Sequence, residues 1–156
     1  SLNRAFQPWL FAKLTLDKLE DKKMIVKYTY IWFLVILASA PIFFLIGPVL
    51  VKLIAGPEYA EAGGVFGWLA LGHAFGGMYA MLNSYLYFSK KTYSLSVVTL
   101  FSGVLNIILL VYFLKYFGII GAGIAFSISM LVRFFLTWFI AAYIHPMPWF
   151  SFYKKN

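Results

Sequence analysis

Four stretches of this chain carry almost no formal charge. Residues 28–51, 62–89 and 92–114 contain no Asp, Glu, Lys or Arg, and residues 116–153 contain one, Arg133. About 20 apolar residues cross a bilayer core as a helix. Lipid offers no partner to backbone N–H and C=O groups, so a spanning segment is a helix or part of a closed barrel. Barrel strands alternate polar and apolar residues over about 10 positions. These runs do not alternate. The sequence therefore predicts an all-α membrane protein with four transmembrane helices, at 30–53, 62–87, 93–114 and 119–143. With 63% hydrophobic and 12% charged residues, the chain has too little charge to coat a water-facing surface, which excludes an ordinary soluble enzyme. Cysteine is absent, so thiolate catalysis and Cys-ligated metal are excluded too.

Breaks between the runs fit short connections. Ala55-Gly56-Pro57-Glu58-Tyr59 stops the first helix, Ser89-Lys90-Lys91-Thr92 forms a polar turn, and Tyr116-Phe117-Gly118 ends in a residue suited to a helix C-cap. Arg4, Lys13, Lys18, Lys22, Lys23, Lys27, Lys90, Lys91, Lys154 and Lys155 fall on one side of this topology. Lys52 and Lys115 fall on the other, with Glu58 and Glu61. The positive-inside rule places the basic side, and both ends of the chain, in the cytoplasm. The excess of basic residues then faces anionic lipid rather than nucleic acid. Residues 1–27 are too short and too charged for a further span. We expect the end of a preceding helix followed by an amphipathic cytoplasmic segment at 15–27 on the inner leaflet. No signal peptide is evident, and the chain begins with Ser, which suggests the C-terminal piece of a longer protein.

Chemistry must come from polar residues inside the spans. All five acids lie outside them, which removes paired-carboxylate catalysis. His73 and His145 are distant and have no carboxylate near them in sequence, so neither a metal site nor a cofactor is expected. Arg133 sits mid-span, where a charge costs several kcal/mol unless it faces protein, water or an anion. Gly121, Ala125, Ser129 and Thr137 share its helix face. Two readings stand: a cation that binds an anion, or an Arg tied to neighbouring helices. Ser96, Thr99, Ser102 and Asn106 share a face of the third span and suit interhelical hydrogen bonds. Gly63, Gly67, Ala70, His73, Gly77, Ala80, Ser84 and Tyr87 form a mostly small-residue stripe in the second, fitted for close packing. His73 is a candidate cavity donor or proton carrier. Pro41 and Gly47-Pro48 are expected to bend the first span.

Several motifs then fall in a recognisable order. Gly56 to Ala62 is a Gly-Pro-Glu-Tyr-Ala-Glu-Ala turn. It is followed by a Gly-rich helix, the Ser89-Lys90-Lys91 turn, and Leu105-Asn106-Ile107-Ile108-Leu109. Phe117-Gly118-Ile119-Ile120-Gly121-Ala122-Gly123-Ile124-Ala125 comes next, and the tail His145-Pro146-Met147-Pro148-Trp149 last. Together they resemble the C-terminal portion of Wzx-type polysaccharide flippases, in the multidrug/oligosaccharidyl-lipid/polysaccharide exporter superfamily. The resemblance implies the last four of about twelve helices in a two-bundle transporter of the bacterial inner membrane. It also implies transport of undecaprenyl-pyrophosphate-linked oligosaccharide rather than enzymatic turnover. Arg133, His73, Ser129 and Asn106 become candidate substrate contacts, and Gly63, Gly67, Gly77, Gly121 and Ala125 candidate packing positions. Partners would be the lipid-linked oligosaccharide, the remaining N-terminal helices and membrane lipid, with no nucleic acid. Alternatives are a drug/cation antiporter of the same superfamily, a non-transport membrane subunit, and a membrane-embedded transferase acting on polyprenyl phosphate.

Overall fold

With few side chains able to hydrate a bare backbone, the chain satisfies its peptide groups inside helices. The computed structural model describes residues 2–149, without the side chains of residues 2–6 and of Glu61, and no strand occurs among the described residues. Ser1, Lys154 and Lys155 lie outside the described residues, and so does the side chain of Arg4. Helix α1 is Leu2–Thr15 and α2 is Leu19–Ala55. A 3-10 segment, Pro57–Gly63, leads into α3, Gly64–Phe88. Helix α4 is Tyr93–Ile144. Three helical stretches are long and apolar enough to cross a membrane: α2 with 37 residues, Pro57–Phe88 with 32 and α4 with 52.

The charge pattern and the helix boundaries do not coincide at the start of α2. The helix begins at Leu19, and residues 19–27 are its opening turns, in line with the apolar part. Nothing between residues 19 and 40 breaks a helix, and Glu20 and Asp21 favour its positive N-terminal end. The charged-to-apolar step at residue 28 marks a change of side-chain chemistry, and the backbone continues through it. Asp21 also accepts an ion pair from Lys13 at 2.8 Å, which fastens α1 to α2. The helix continues through Pro41 and Pro48 as well. Residues 47 and 48 are where the far end of the bundle closes: Gly63 abuts the Pro48 backbone, leaving no room for a Cβ.

Helix α4 is interrupted at Gly118, with φ 56° and ψ −144°, a conformation that glycine adopts without strain. The chain doubles back there. Gly121 lies against the Phe113 carbonyl, Ser129 bonds Asn106, and Arg133 bonds Thr99. These pairs step away from the Phe117-Gly118 turn in register, which defines two antiparallel arms, 93–117 and 119–144. The second arm runs beside α3 in the same direction. Gly72 meets Phe126, Gly76 meets Met130 and Tyr79 meets Arg133, each pair separated by the same 54 positions.

The bulky core gathers at the end of the bundle where α2 begins and α3 and α4 finish. Leu10 and Leu14 of α1, Ile25, Val26 and Phe33 of α2, Leu82, Tyr85 and Leu86 of α3, and Phe134 of α4 pack with Met147 and Trp149. We call this end the base. Lys13, Lys18, Lys22, Lys23, Lys27, Lys90 and Lys91 surround it. The far end is joined through glycines instead, including Gly67 beneath the Phe44 ring. Much of the outer surface is apolar: Leu45, Ile54, Leu100 and Phe139 are each more than 70% exposed. Such a surface is suited to lipid or to further helices rather than to water.

Candidate functional site

Arg133 occupies the seam where α3 and both arms of α4 meet. Its Nη2 donates to the Tyr79 hydroxyl at 2.9 Å and to Thr99 Oγ1 at 2.7 Å. The guanidinium also lies 4.0 Å from the centroid of the Tyr79 ring, a cation–π contact. Tyr79 and Thr99 approach each other at 3.5 Å, so the three side chains form one polar triangle. The remaining donors are uncommitted among the described residues. Among the described residues Nε is buried without a partner and Nη1 makes no hydrogen bond. An Arg keeps its charge in proteins, so this seam holds a positive group with donor capacity to spare. The two ion pairs among the described residues, Lys13–Asp21 and Lys22–Asp17, both lie at the base.

Polar groups continue along the seam. One turn toward the far end, Ser129 donates to the Ala125 carbonyl at 2.8 Å and reaches Asn106 Oδ1 at 3.3 Å. One turn toward the base, Asn83 and Thr137 sit on a common level, again 54 positions apart. Asn83 Oδ1 and Thr137 Oγ1 are both buried without a partner among the described residues. Tyr79 and Thr99 also line a groove of about 460 Å³ between α3 and the first arm, with Tyr87, Leu95, Ser96 and Leu100. The Arg133 triangle therefore stands at the inner wall of an open groove.

Three of the four candidate contacts come together here: Arg133, Ser129 and Asn106. His73 does not. It is exposed, packs edge-on against Phe126 at 5.1 Å, and lines a separate, mostly apolar groove of about 480 Å³ between α2 and α3. Ser39 supplies the other polar side chain of that groove. The small-residue positions divide between two seams. Gly63, Gly67 and Gly77 face Pro48, Phe44 and Ile36 of α2, whereas Gly121 and the fully buried Ala125 belong to the second arm of α4. Sequence reasoning did not single out Tyr79. A tyrosine in mid-span, away from the interfacial belts, needs a partner for its hydroxyl, and that was the available signal. Among the described residues no group of three or more His, Asp or Glu side chains lies together.

No family model, curated protein or solved structure matches this chain.

Proposed function

We propose that this chain is the C-terminal part of a bacterial inner-membrane transporter that flips polyprenyl-pyrophosphate-linked oligosaccharide, as the resemblance to Wzx-type flippases implies. In this reading α2, α3 and the two arms of α4 are four crossings, and the lysine-rich base faces the cytoplasm. The observation that carries the proposal is Arg133. It is a mid-span cation without an acidic counter-charge among the described residues, with a buried Nε still free, bonded to Tyr79 and Thr99, which line an open groove. A pyrophosphate or acidic sugar supplies the missing acceptors, and Arg is the side chain best suited to such oxyanions. Ser129, Asn106, Tyr79 and Thr99 keep the seam polar around it. The further N-terminal helices complete the cavity, and rocking of the two bundles gives alternating access. An anion moving outward also runs down an inside-negative potential, worth about 2.3 kcal/mol per charge per 100 mV, so a carboxylate proton relay is not required.

Arg133 variants in the full-length transporter test this reading. R133A is expected to abolish surface polysaccharide while membrane insertion persists. R133K should keep part of the activity, because the charge survives and the planar fork does not. A second reading is favoured by the bonds to Tyr79 and Thr99: a structural Arg that holds three helices together, as in a non-transport subunit. R133L separates the two. Lost transport at normal membrane levels supports the flippase reading. Lower expression with full activity in the surviving molecules supports the structural one, and wild-type behaviour removes both.

A further inference from the structure

The turn between α3 and α4 is built more rigidly than its polar sequence suggests. Ser89 N–H bonds the Tyr85 carbonyl at 3.0 Å, Lys90 N–H the Tyr87 carbonyl at 3.1 Å, and Lys91 N–H the Leu86 carbonyl at 3.1 Å. Together they close the last turn of α3. Lys90 has φ +56°, in the left-handed region that a helix C-terminus ordinarily gives to glycine. A lysine there accepts backbone strain and is held in one place. Lys90 and Lys91 are both exposed, and neither has an acidic partner among the described residues.

Beside this turn the two arms of α4 part. The opening is a groove of about 560 Å³ lined by Lys91, Ser94, Phe139, Ile140, Tyr143 and Ile144. Its chemistry is graded. Lys91 of the turn and Ser94 of the first arm provide a cation and a hydroxyl, and the second arm provides an apolar wall. Phe139 is 73% exposed and Tyr143 is 90% exposed, so two aromatic rings stand open along it.

We propose that this groove is a binding site for one anionic phospholipid of the leaflet at the base. Lys91, Lys90 and Ser94 hold the headgroup phosphate, and an acyl chain lies along Phe139, Ile140 and Tyr143. Charge complementarity selects this occupant. A neutral helix would leave the two lysines unmatched, and a free anion would leave the aromatic wall uncovered. Basic pockets between helices at the cytoplasmic surface are sites of anionic headgroup recognition. The inference rests on the membrane embedding proposed above and on nothing about the transported substrate.

The test uses the full-length protein in phosphatidylcholine vesicles containing a trace of phosphatidylglycerol with a photoreactive acyl chain. Cross-linked peptides are mapped by mass spectrometry. We expect labelling concentrated at 139–144. Each lysine is worth roughly fivefold in surface attraction, so K90Q/K91Q should cut that labelling more than tenfold. K18Q/K27Q, which removes the same charge elsewhere at the base, should leave it unchanged. Equal labelling by photoreactive phosphatidylcholine, or an equal loss in both double variants, would overturn the site. Absence of lipid labelling anywhere along α4 would overturn the embedding itself, which keeps the two failures distinct.

Discussion

Tyr79 meets Arg133 in two ways, through its ring face and through its hydroxyl, and the two are separable. Tyr79→Phe removes the hydrogen bond and keeps the ring. We expect it to cost about 1 kcal/mol, between the values for charge-assisted bonds in water and for polar pairs in membranes. Tyr79→Ala should cost about 1–2 kcal/mol more by removing the cation–π contact. Reversible unfolding in mixed micelles measures both, and in an Arg133→Leu background the hydroxyl's contribution should fall to that of its 3.5 Å contact with Thr99. Arg133, Ser129 and Asn106 were legible in the sequence because a charge, hydroxyl or amide stands out within an apolar run. His73 stands out equally, yet its helix turns it into a different groove. Tyr79 was hidden because the chain has 11 tyrosines and most can be explained as interfacial anchors.

At the scale of single elements, the glycines differ in what surrounds them, so their substitutions should differ in sign. A Cβ at Gly121 would strike the Phe113 carbonyl, and one at Gly63 the Pro48 backbone. Neither obstacle can rotate away. A Cβ at Gly76 would meet Met130 Sδ at 3.9 Å, an ordinary contact. Gly76→Ala should therefore be neutral or stabilise α3 by up to about 1 kcal/mol through helix propensity. Gly121→Ala should split the α4 hairpin and lower the yield of folded protein, read by size-exclusion chromatography in detergent. Gly118 has open space around it, but its φ is positive, so Gly118→Ala should cost about 1–2 kcal/mol from backbone strain alone. The helical class was readable from the charge gaps, and the Gly118 reversal from a glycine between two apolar runs. The start of α2 was not. Charge records where a side chain prefers water, and a helix carrying Glu20 and Asp21 in its first turn needs no apolar face to begin.

For the whole molecule, the base is closed from below by residues 145–149. Trp149 packs on Tyr30, Tyr85 and Trp138, and Tyr30 Oη donates to the Trp149 carbonyl at 3.1 Å. His145 starts this strap against the Phe88 ring at 5.6 Å. Burial lowers its pKa below the ordinary value near 6.5. Lys22 lowers it further, and Asp17, which is paired with Lys22, partly opposes this. A His whose folded pKa is depressed binds more protons once released, so docking strengthens with rising pH and weakens as pH falls below about 6.5. Proteolysis within 145–149 should be faster at pH 5.5 than at pH 7.5, and His145→Gln should remove that difference. The hairpin of α4 also bears on how the protein is made. Its tip, Lys115 to Ile119, carries one charge, so in the proposed membrane embedding little opposes insertion of the two arms as a pair. In the proposed embedding, a first arm delivered alone has Thr99 without Arg133 and Asn106 without Ser129, both still unsynthesised. In that reading, the time taken to synthesise residues 119–133 sets how long these two side chains wait for their partners.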